Sequence, residues 1–314
     1  MNSTMGVIMK KIFAGVVCFL FLCSLSFAKG VGSTGAQFLK IGMGARPLAM
    51  AGAFGAVADD INAINYNPAS LTRIEKKEVS ATYLKYFEDV NAGFIGYAGI
   101  LAEKHYIGAG LTYLQVTDIE KRDLNETKLG DFGATDMALS LCYARKDIAD
   151  SLLKDLSVGG NLKIINQKID TDTAFTVALD ISAYYPADEK LSLVMNIQNI
   201  SYGIKFDEET DPLPLNIKVG AAYKLIKDLT VACDLDEYIV DNKLYASIGA
   251  EYTVKEVLAL RSGYRFGYDT DSLGGLAGLG AGAGFKFWGL TVDYAFVPFG
   301  DLGDTHRVSF AAKF

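Results

Sequence analysis

Cysteine is scarce in this sequence, with four among 314 residues. Cys18 and Cys23 lie in an apolar N-terminal stretch, which leaves Cys142 and Cys233, far apart along the chain. No disulfide framework holds the fold. Two buried free thiols is the plainer reading, with a single bridge between them left open. Histidine is scarcer: His105 and His306 are the two, and their places at opposite ends of separate strands give a Ser/His/Asp hydrolase no shared site. The chain is therefore read as non-enzymatic. Cations are outnumbered, 30 Lys and Arg against 37 Asp and Glu, which argues against a nucleic-acid partner. No phosphate loop or dinucleotide motif is present. The stretches DTDTAF and GYDTDS place Asp170, Asp172, Asp269 and Asp271 at spacing two, without the glycine and distal glutamate of a calcium loop. They read as solvated loop acids, and no metal or cofactor is expected. Finally, nothing after Ala28 approaches the roughly 20 consecutive apolar residues of a spanning helix.

The N-terminus reads as a secretory signal. Lys10 and Lys11 precede the apolar run Ile12 to Phe27, and Ser26-Phe27-Ala28 supplies small residues at a cleavage site, expected after Ala28. Val17 and Leu22, which precede the two cysteines here, do not suit lipid attachment. Losing residues 1–28 removes two lysines and no acid, so the net charge moves from −7 to −9.

Beyond this leader half the residues are hydrophobic, and they recur with period two. Leu156, Val158, Leu162 and Ile164 alternate with Ser157, Gly159, Asn161 and Lys163. Leu215, Ile217, Val219, Ala221 and Tyr223 alternate with Asn216, Lys218, Gly220, Ala222 and Lys224. Such alternation puts one set of side chains on each face of a sheet. Segments of about ten residues with this pattern fit transmembrane barrel strands. About fourteen are expected between Glu78 and Phe314, at 78–87, 92–102, 105–117, 133–146, 155–168, 173–185, 189–199, 213–225, 228–239, 243–254, 257–266, 276–287, 289–297 and 305–314. The connections have the uneven rhythm of such barrels: short near 103–104, 186–188, 226–227, 255–256 and 288, longer at 118–132, 200–212, 267–275 and 298–304. The short ones are expected in the periplasm, with 147–154 as the longer exception. A soluble β-sandwich also alternates, but does not account for the signal, the loop rhythm and the last strand together. In that strand Val308, Phe310, Ala312 and Phe314 alternate with Arg307, Ser309, Ala311 and Lys313. Its form resembles the terminal strand by which outer-membrane barrels are recognised, so Phe310 and Phe314 are expected to carry the signal for the barrel assembly machinery. The fold class is thus all-β, a transmembrane antiparallel barrel in outer-membrane lipid.

Fourteen strands enclose a lumen that must be filled or left as a channel, and residues 29–77 precede the first of them. They are small and apolar, and a partly helical plug, or hatch, is expected from them. On a helix Met50, Phe54, Val57 and Ile61 share one face, with Pro47 in the first turn. Met50, Phe54 and Val57 are expected to border a pocket for an apolar molecule. Asp59 and Asp60 end the run, where they are expected in a turn or paired with Arg46 or Arg73. Pro68 makes Asn67-Pro68-Ala69 a non-helical elbow. The expected division is a signal at 1–28, a hatch at 29–77 and a barrel at 78–314.

The stretch TGAQFLKIGMGARPLAMAGAFGAVADDINAINYNPASL, residues 34–71, is similar to the N-terminal signature of the PorV/PorQ-like proteins, within the wider FadL-like outer-membrane superfamily. It supplies Gly44-Ala45-Arg46, the apolar run Ala49 to Ala58, the pair Asp59-Asp60 and Asn67-Pro68-Ala69. It departs at Ser70 and at Ala51-Gly52, where glycines are usual in the family. The resemblance implies a fourteen-strand barrel and two possible roles. One is moving or binding hydrophobic molecules across the outer membrane. The other is type IX secretion, holding exported proteins at that membrane.

Overall fold

The computed structural model describes residues 32–86, 90–148, 153–300 and 303–314, so the expected signal and its cleavage site lie outside the described residues. Fourteen antiparallel strands close on themselves: β1 (Glu78–Lys85), β2 (Asn91–Ala102), β3 (His105–Arg122), β4 (Lys128–Arg145), β5 (Ser157–Ile169), β6 (Asp172–Pro186), β7 (Leu191–Ile200), β10 (Asn216–Ile226), β11 (Leu229–Tyr238), β12 (Lys243–Val254), β13 (Leu258–Phe266), β14 (Leu279–Phe287), β15 (Leu290–Pro298) and β16 (Asp304–Lys313). β8 (Ile204–Lys205) and β9 (Thr210–Asp211) form a small hairpin in the connection between β7 and β10. Each barrel strand pairs with its chain neighbour, and β1 pairs with β16, Glu78 opposite Lys313, to close the ring.

Closure follows from the surroundings of the strands. In lipid an unpaired edge has no water to satisfy it, so the sheet must return to itself. The two faces match that environment. Ile95, Leu139, Leu141, Ile181, Ile248, Leu260 and Phe310 point outward and are exposed, while Asn161, Lys163, Asn196, Lys218, Asp234 and Arg261 point inward and are buried. Phe285, Phe287 and Trp288 cluster at one rim, with ring centroids of Phe287 and Trp288 4.4 Å apart, as in the aromatic girdle of such barrels. The tight turns at that rim have the mirror-type geometry that suits twisted hairpins. Lys255 and Glu256 have φ of 50° and 60°, and Trp288 and Gly289 have φ of 49° and 80°.

The strands follow the expected spans closely, with one clear departure. Residues 118–132 were expected as a loop. Instead β3 and β4 each run 18 residues and only 123–127 connect them. Beyond Gln115, where β2 stops pairing, and before Ala134, where β5 stops, the two strands form a free ribbon. Ion pairs such as Lys128 with Asp131 at 2.8 Å lie along it. A ribbon in water has no apolar face to alternate, so periodicity could not reveal it. The connection 170–171 is also tight.

The segment before β1 fills the space between the inward faces. It holds only short helical pieces: Gln37–Lys40, Ala45–Ala49, Ala63–Tyr66 and Pro68–Arg73. The elbow expected to be non-helical at Asn67-Pro68-Ala69 is extended only at Asn67, and Pro68 and Ala69 begin the last helix, since the fixed φ of proline suits a first helical position. The helix expected to carry Met50, Phe54, Val57 and Ile61 on one face is not there, because the helix ends at Ala49 and turns follow, with Ala51 and Gly52 at φ of 53° and 85°. The physical reason lies in the wall. Inward polar side chains take up backbone groups that a helix would otherwise pair internally. Asp234 Oδ2 accepts the N–H groups of Phe54 and Gly55 at 3.1 and 2.9 Å. Asn161, Asn196 and Gln198 donate to the carbonyl oxygens of Ile64, Tyr66 and Asn65 at 2.7, 3.1 and 3.0 Å. With its main chain satisfied in this way, the segment follows the lumen, and its apolar side chains pack on one another and on Leu84, Phe94 and Val194 of the wall.

Phe314 lies on the outward face beyond β16, and its N–H donates to the Lys77 carbonyl at 2.9 Å. Deleting Phe314 is expected to reduce the folded, heat-modifiable barrel in the outer-membrane fraction to a minor species. An unchanged folded yield on a gel would remove the terminal aromatic from the assembly signal.

Candidate functional site

The motif residues separate into two groups. Arg46 stands at the centre of the first. Its Nη1 reaches Asp59 at 2.5 Å and Asp60 at 2.7 Å, and its Nε and Nη2 form a two-pronged pair with Glu251 of β12, both at 2.8 Å. Glu251 also accepts from Arg261, which continues to Asp293 at 2.7 Å. The expected pairing of the acids with Arg46 is therefore observed, and it continues into the barrel wall. Arg73 contributes differently: its Nη1 donates to the carbonyl oxygens of Ala56, Val57 and Ala58 at 3.1, 2.8 and 2.9 Å. Burial disfavours charge on Asp59, but Arg46 and Arg73 outweigh it and hold the carboxyl well below the usual range.

Asn67, Pro68 and Ala69 form the second group, on the opposite side. Asn67 Oδ1 accepts the Ala69 N–H at 3.0 Å and its Nδ2 donates to the Ala183 carbonyl at 3.1 Å. Ser182 Oγ also accepts from Ala69, at 2.8 Å. Gly159 allows this approach, since a Cβ there would lie 2.7 Å from Ala69 N. Ser70 Oγ donates to the Gly55 carbonyl at 3.0 Å and so ties the elbow to the apolar turns.

Met50, Phe54 and Val57 are not where a ligand was expected to meet them. All three are buried in the core formed with the wall, and none lines the cavity described below. Phe54 instead packs edge-on against Tyr66 at 5.4 Å, with the Arg46 guanidinium 5.2 Å from its ring centre. Once the helix is replaced by turns, these side chains fold inward on their own segment. Phe310 and Phe314 face outward, away from the cavity. Both thiols are free, but Cys233 is exposed on the outward face rather than buried as expected. His105 and His306 bond to Tyr143 and Tyr294, each at 2.7 Å, at opposite rims.

A cavity of about 270 Å³ lies between the N-terminal segment and the long-loop end of the barrel. An arc of five rings flanks it. Centroid distances are 6.0 Å from Tyr238 to Tyr245, 5.3 Å from Tyr245 to Tyr268, 6.0 Å from Tyr268 to Phe299 and 5.6 Å from Phe299 to Tyr86. The Arg265 guanidinium sits 4.5 Å from the Tyr245 ring centre. Other lining positions are polar, including Lys163, Gln198, Asn199, Asn216, Lys218 and Asp236. The chamber thus combines aromatic rings with hydrogen-bonding groups. Sequence reasoning missed this arc. Its one signal was available: Tyr86, Tyr238, Tyr268 and Phe299 fall at or just past a strand end on the long-loop side, and Tyr245 lies two residues inside β12.

A closed barrel of fourteen strands, apolar outside, polar inside and filled by its own N-terminal segment, is an outer-membrane β-barrel. The family model for "Type IX secretion system protein PorV" matches residues 27–244, and the chain belongs to that family. No curated protein matches the sequence. Among solved structures, similar folds include the CymD monoaromatic hydrocarbon channel, at 12% identity and a TM-score of 0.64 over 87% of this chain and 98% of that one. The toluene transporter TbuX of Ralstonia pickettii gives 14% and 0.60, with the same coverage. A FadL homologue from Pseudomonas aeruginosa gives 12% and 0.59, again over 87% and 98%. At such identities the likeness is one of fold alone.

Proposed function

We propose that this barrel binds small hydrophobic or amphipathic molecules in the chamber and moves them across the outer membrane, without catalysis. The observation that carries this reading is the five-ring arc over a cavity of about 270 Å³. Aromatic walls take up apolar solutes through area removed from water, about 25 cal/mol per Å². Support comes from the structural neighbours that are named as a hydrocarbon channel and a toluene transporter. In this reading residues 1–28 are a cleaved leader, 29–77 a hatch that closes the lumen, and 78–314 the barrel. The long loops face outside, and the barrel assembly machinery inserts the chain into outer-membrane lipid. A second reading, a type IX secretion component that holds exported proteins, is favoured by the family match itself.

The test is binding of 1-octanol to the purified protein in lipid nanodiscs. Wild type is expected to bind it, and Tyr268→Asp to bind roughly 3- to 10-fold more weakly, the value of one aromatic contact. If wild type shows no binding, the chamber reading fails and the secretion reading is preferred.

A further inference from the structure

The acceptor pattern for a sugar on asparagine is Asn-Xaa-Ser/Thr with Xaa other than proline. It occurs three times in the chain, at Asn2-Ser3-Thr4, Asn125-Glu126-Thr127 and Asn199-Ile200-Ser201. A pattern this short arises often by chance, so the surroundings of each asparagine decide. The first lies outside the described residues. Asn199 is 5% exposed, near the end of β7. Its Nδ2 donates to the Pro214 carbonyl at 2.9 Å, its Oδ1 accepts from Lys163 at 2.7 Å, and its N–H donates to Asp180 at 2.8 Å. That side chain is engaged at both ends and closed to an enzyme in the folded barrel.

Asn125 is the opposite case. It sits at the tip of the ribbon, in the connection 123–127 between β3 and β4. Gln115 is the last β3 residue that pairs with β2. From there the ribbon carries the tip about 20 Å past the ring, at ~3.3 Å per residue. Asn125, Glu126 and Thr127 are all exposed. Among the described residues, the Asn125 amide and the Thr127 hydroxyl have no hydrogen-bond partner. The main chain is held instead by Asp123. Its Oδ1 accepts the N–H groups of Asn125 and Thr127 at 2.8 and 2.9 Å, and its own N–H donates to the Thr127 carbonyl at 3.0 Å. Such side-chain bonding to the backbone two residues on fixes a turn. Here it leaves the amide and the hydroxyl free, two residues apart, on a projecting tip.

We propose that Asn125 is an N-glycosylation site, with a lipid-linked oligosaccharide pyrophosphate as the donor. In the transfer, Asn125 Nδ2 forms a bond to the anomeric carbon of the first sugar. The bond from that carbon to the pyrophosphate oxygen breaks, and its electron pair leaves with the lipid pyrophosphate. The proton lost from Nδ2 passes to a carboxylate of the transferase. Thr127 offers the hydroxyl that the transferase reads beside the amide. An outer-membrane barrel crosses the inner membrane on its way, so the chain meets donors carried by that membrane. The ribbon also gives a bulky polar group a use. Its strand edges are bare beyond Gln115 and Ala134, and Leu124 beside the acceptor is fully exposed. Bare edges invite pairing with other chains, and a sugar at the tip obstructs it. The site stands apart from the chamber, so the failure of either reading leaves the other intact.

The test is mass spectrometry of the full protein, isolated from the outer membrane of its native cells and cut with trypsin. The peptide 123–128 is expected to carry a sugar mass on most copies, and the peptide 191–205, which contains Asn199, to carry none. Asn125→Gln and Thr127→Ala are expected to lose the sugar, and Thr127→Ser to keep it. Both positions lie beyond the ring, so heat-modifiable migration is expected to show wild-type folding in every variant. A 123–128 peptide without sugar overturns the proposal. So does a sugar that persists in Asn125→Gln, which places it on the Thr127 oxygen. A sugar on Asn199 also overturns it, because exposure in the folded barrel would then not be what selects the acceptor.

Discussion

Replacing Arg46 with methionine is expected to destabilise the barrel by about 3–5 kcal/mol, the usual consequence of removing one partner from a buried ion pair. Methionine preserves much of the volume, so the loss is chiefly of charge. Arg46 touches three carboxylates, and two of them, Asp60 and Glu251, are largely buried. Without Arg46, Asp60 keeps only its bonds from Asn62, both at 2.9 Å, and Asp59 keeps Arg73 at 3.9 Å. Glu251 keeps Arg261. The link that joins the N-terminal segment to β12 is gone. The expected result is a lower temperature of heat modification on a gel, with faster amide exchange over residues 43–60. Unchanged exchange there would show that the segment is held by its backbone bonds alone. Acidity should act through the same network. The Asp59 carboxyl is held below its unfolded value of about 3.9, so its contribution is fully present above that pH and is lost only as pH falls through the lower folded value. Exchange over 43–60 should therefore show no Asp59-dependent loosening between neutral pH and about pH 5.

Gly263→Val is expected to unseat the same segment without touching a charge. A Cβ at Gly263 would lie 2.5 Å from the carbonyl carbon and oxygen of Met50 and 2.7 Å from the Ile248 carbonyl oxygen. All are backbone atoms, so no side chain can rotate away. Gly249 faces Met50 in the same manner, with its carbonyl oxygen 2.7 Å from the added atom. The bare strands β12 and β13 thus form a seat for one turn of the segment. Overpacking of this kind costs typically 1–3 kcal/mol, and more where backbone must move. Limited proteolysis should cut Gly263→Val near residues 43–57 and spare wild type. Gly275→Val is the control, since an added Cβ there meets nothing within 4 Å. Equal resistance of Gly263→Val and wild type would mean that the segment does not depend on this seat.

Some of the segment was legible without coordinates. The pairing of Asp59 and Asp60 with Arg46 was readable because the acids end an apolar run and need a cation nearby. Of the expected non-helical elbow at Asn67-Pro68-Ala69, only the extended Asn67 was readable, because proline restricts the residue before it, whereas Pro68 and Ala69 open a short helix to Arg73. The partners across the lumen were not. Glu251 and Asp234 are some 200 and 180 residues from Arg46 and Phe54, and nothing local marks an inward acid as one that receives a distant N–H or guanidinium. The helix expected through Met50–Ile61 failed for the same reason. Helical periodicity assumes that a backbone bonds within itself, whereas here the wall supplies the bonds.

The sequence by itself determined the number of strands, their faces and their closure into a barrel. Alternation with period two is written residue by residue, and a bilayer outside permits one arrangement of fourteen half-apolar strands. Only the tertiary structure decided the rest: the irregular path of residues 32–77, the ribbon of β3 and β4 beyond the wall, and the aromatic arc. Each of these depends on which inward residues meet across the lumen, and that is set by strand register and barrel closure rather than by any local pattern.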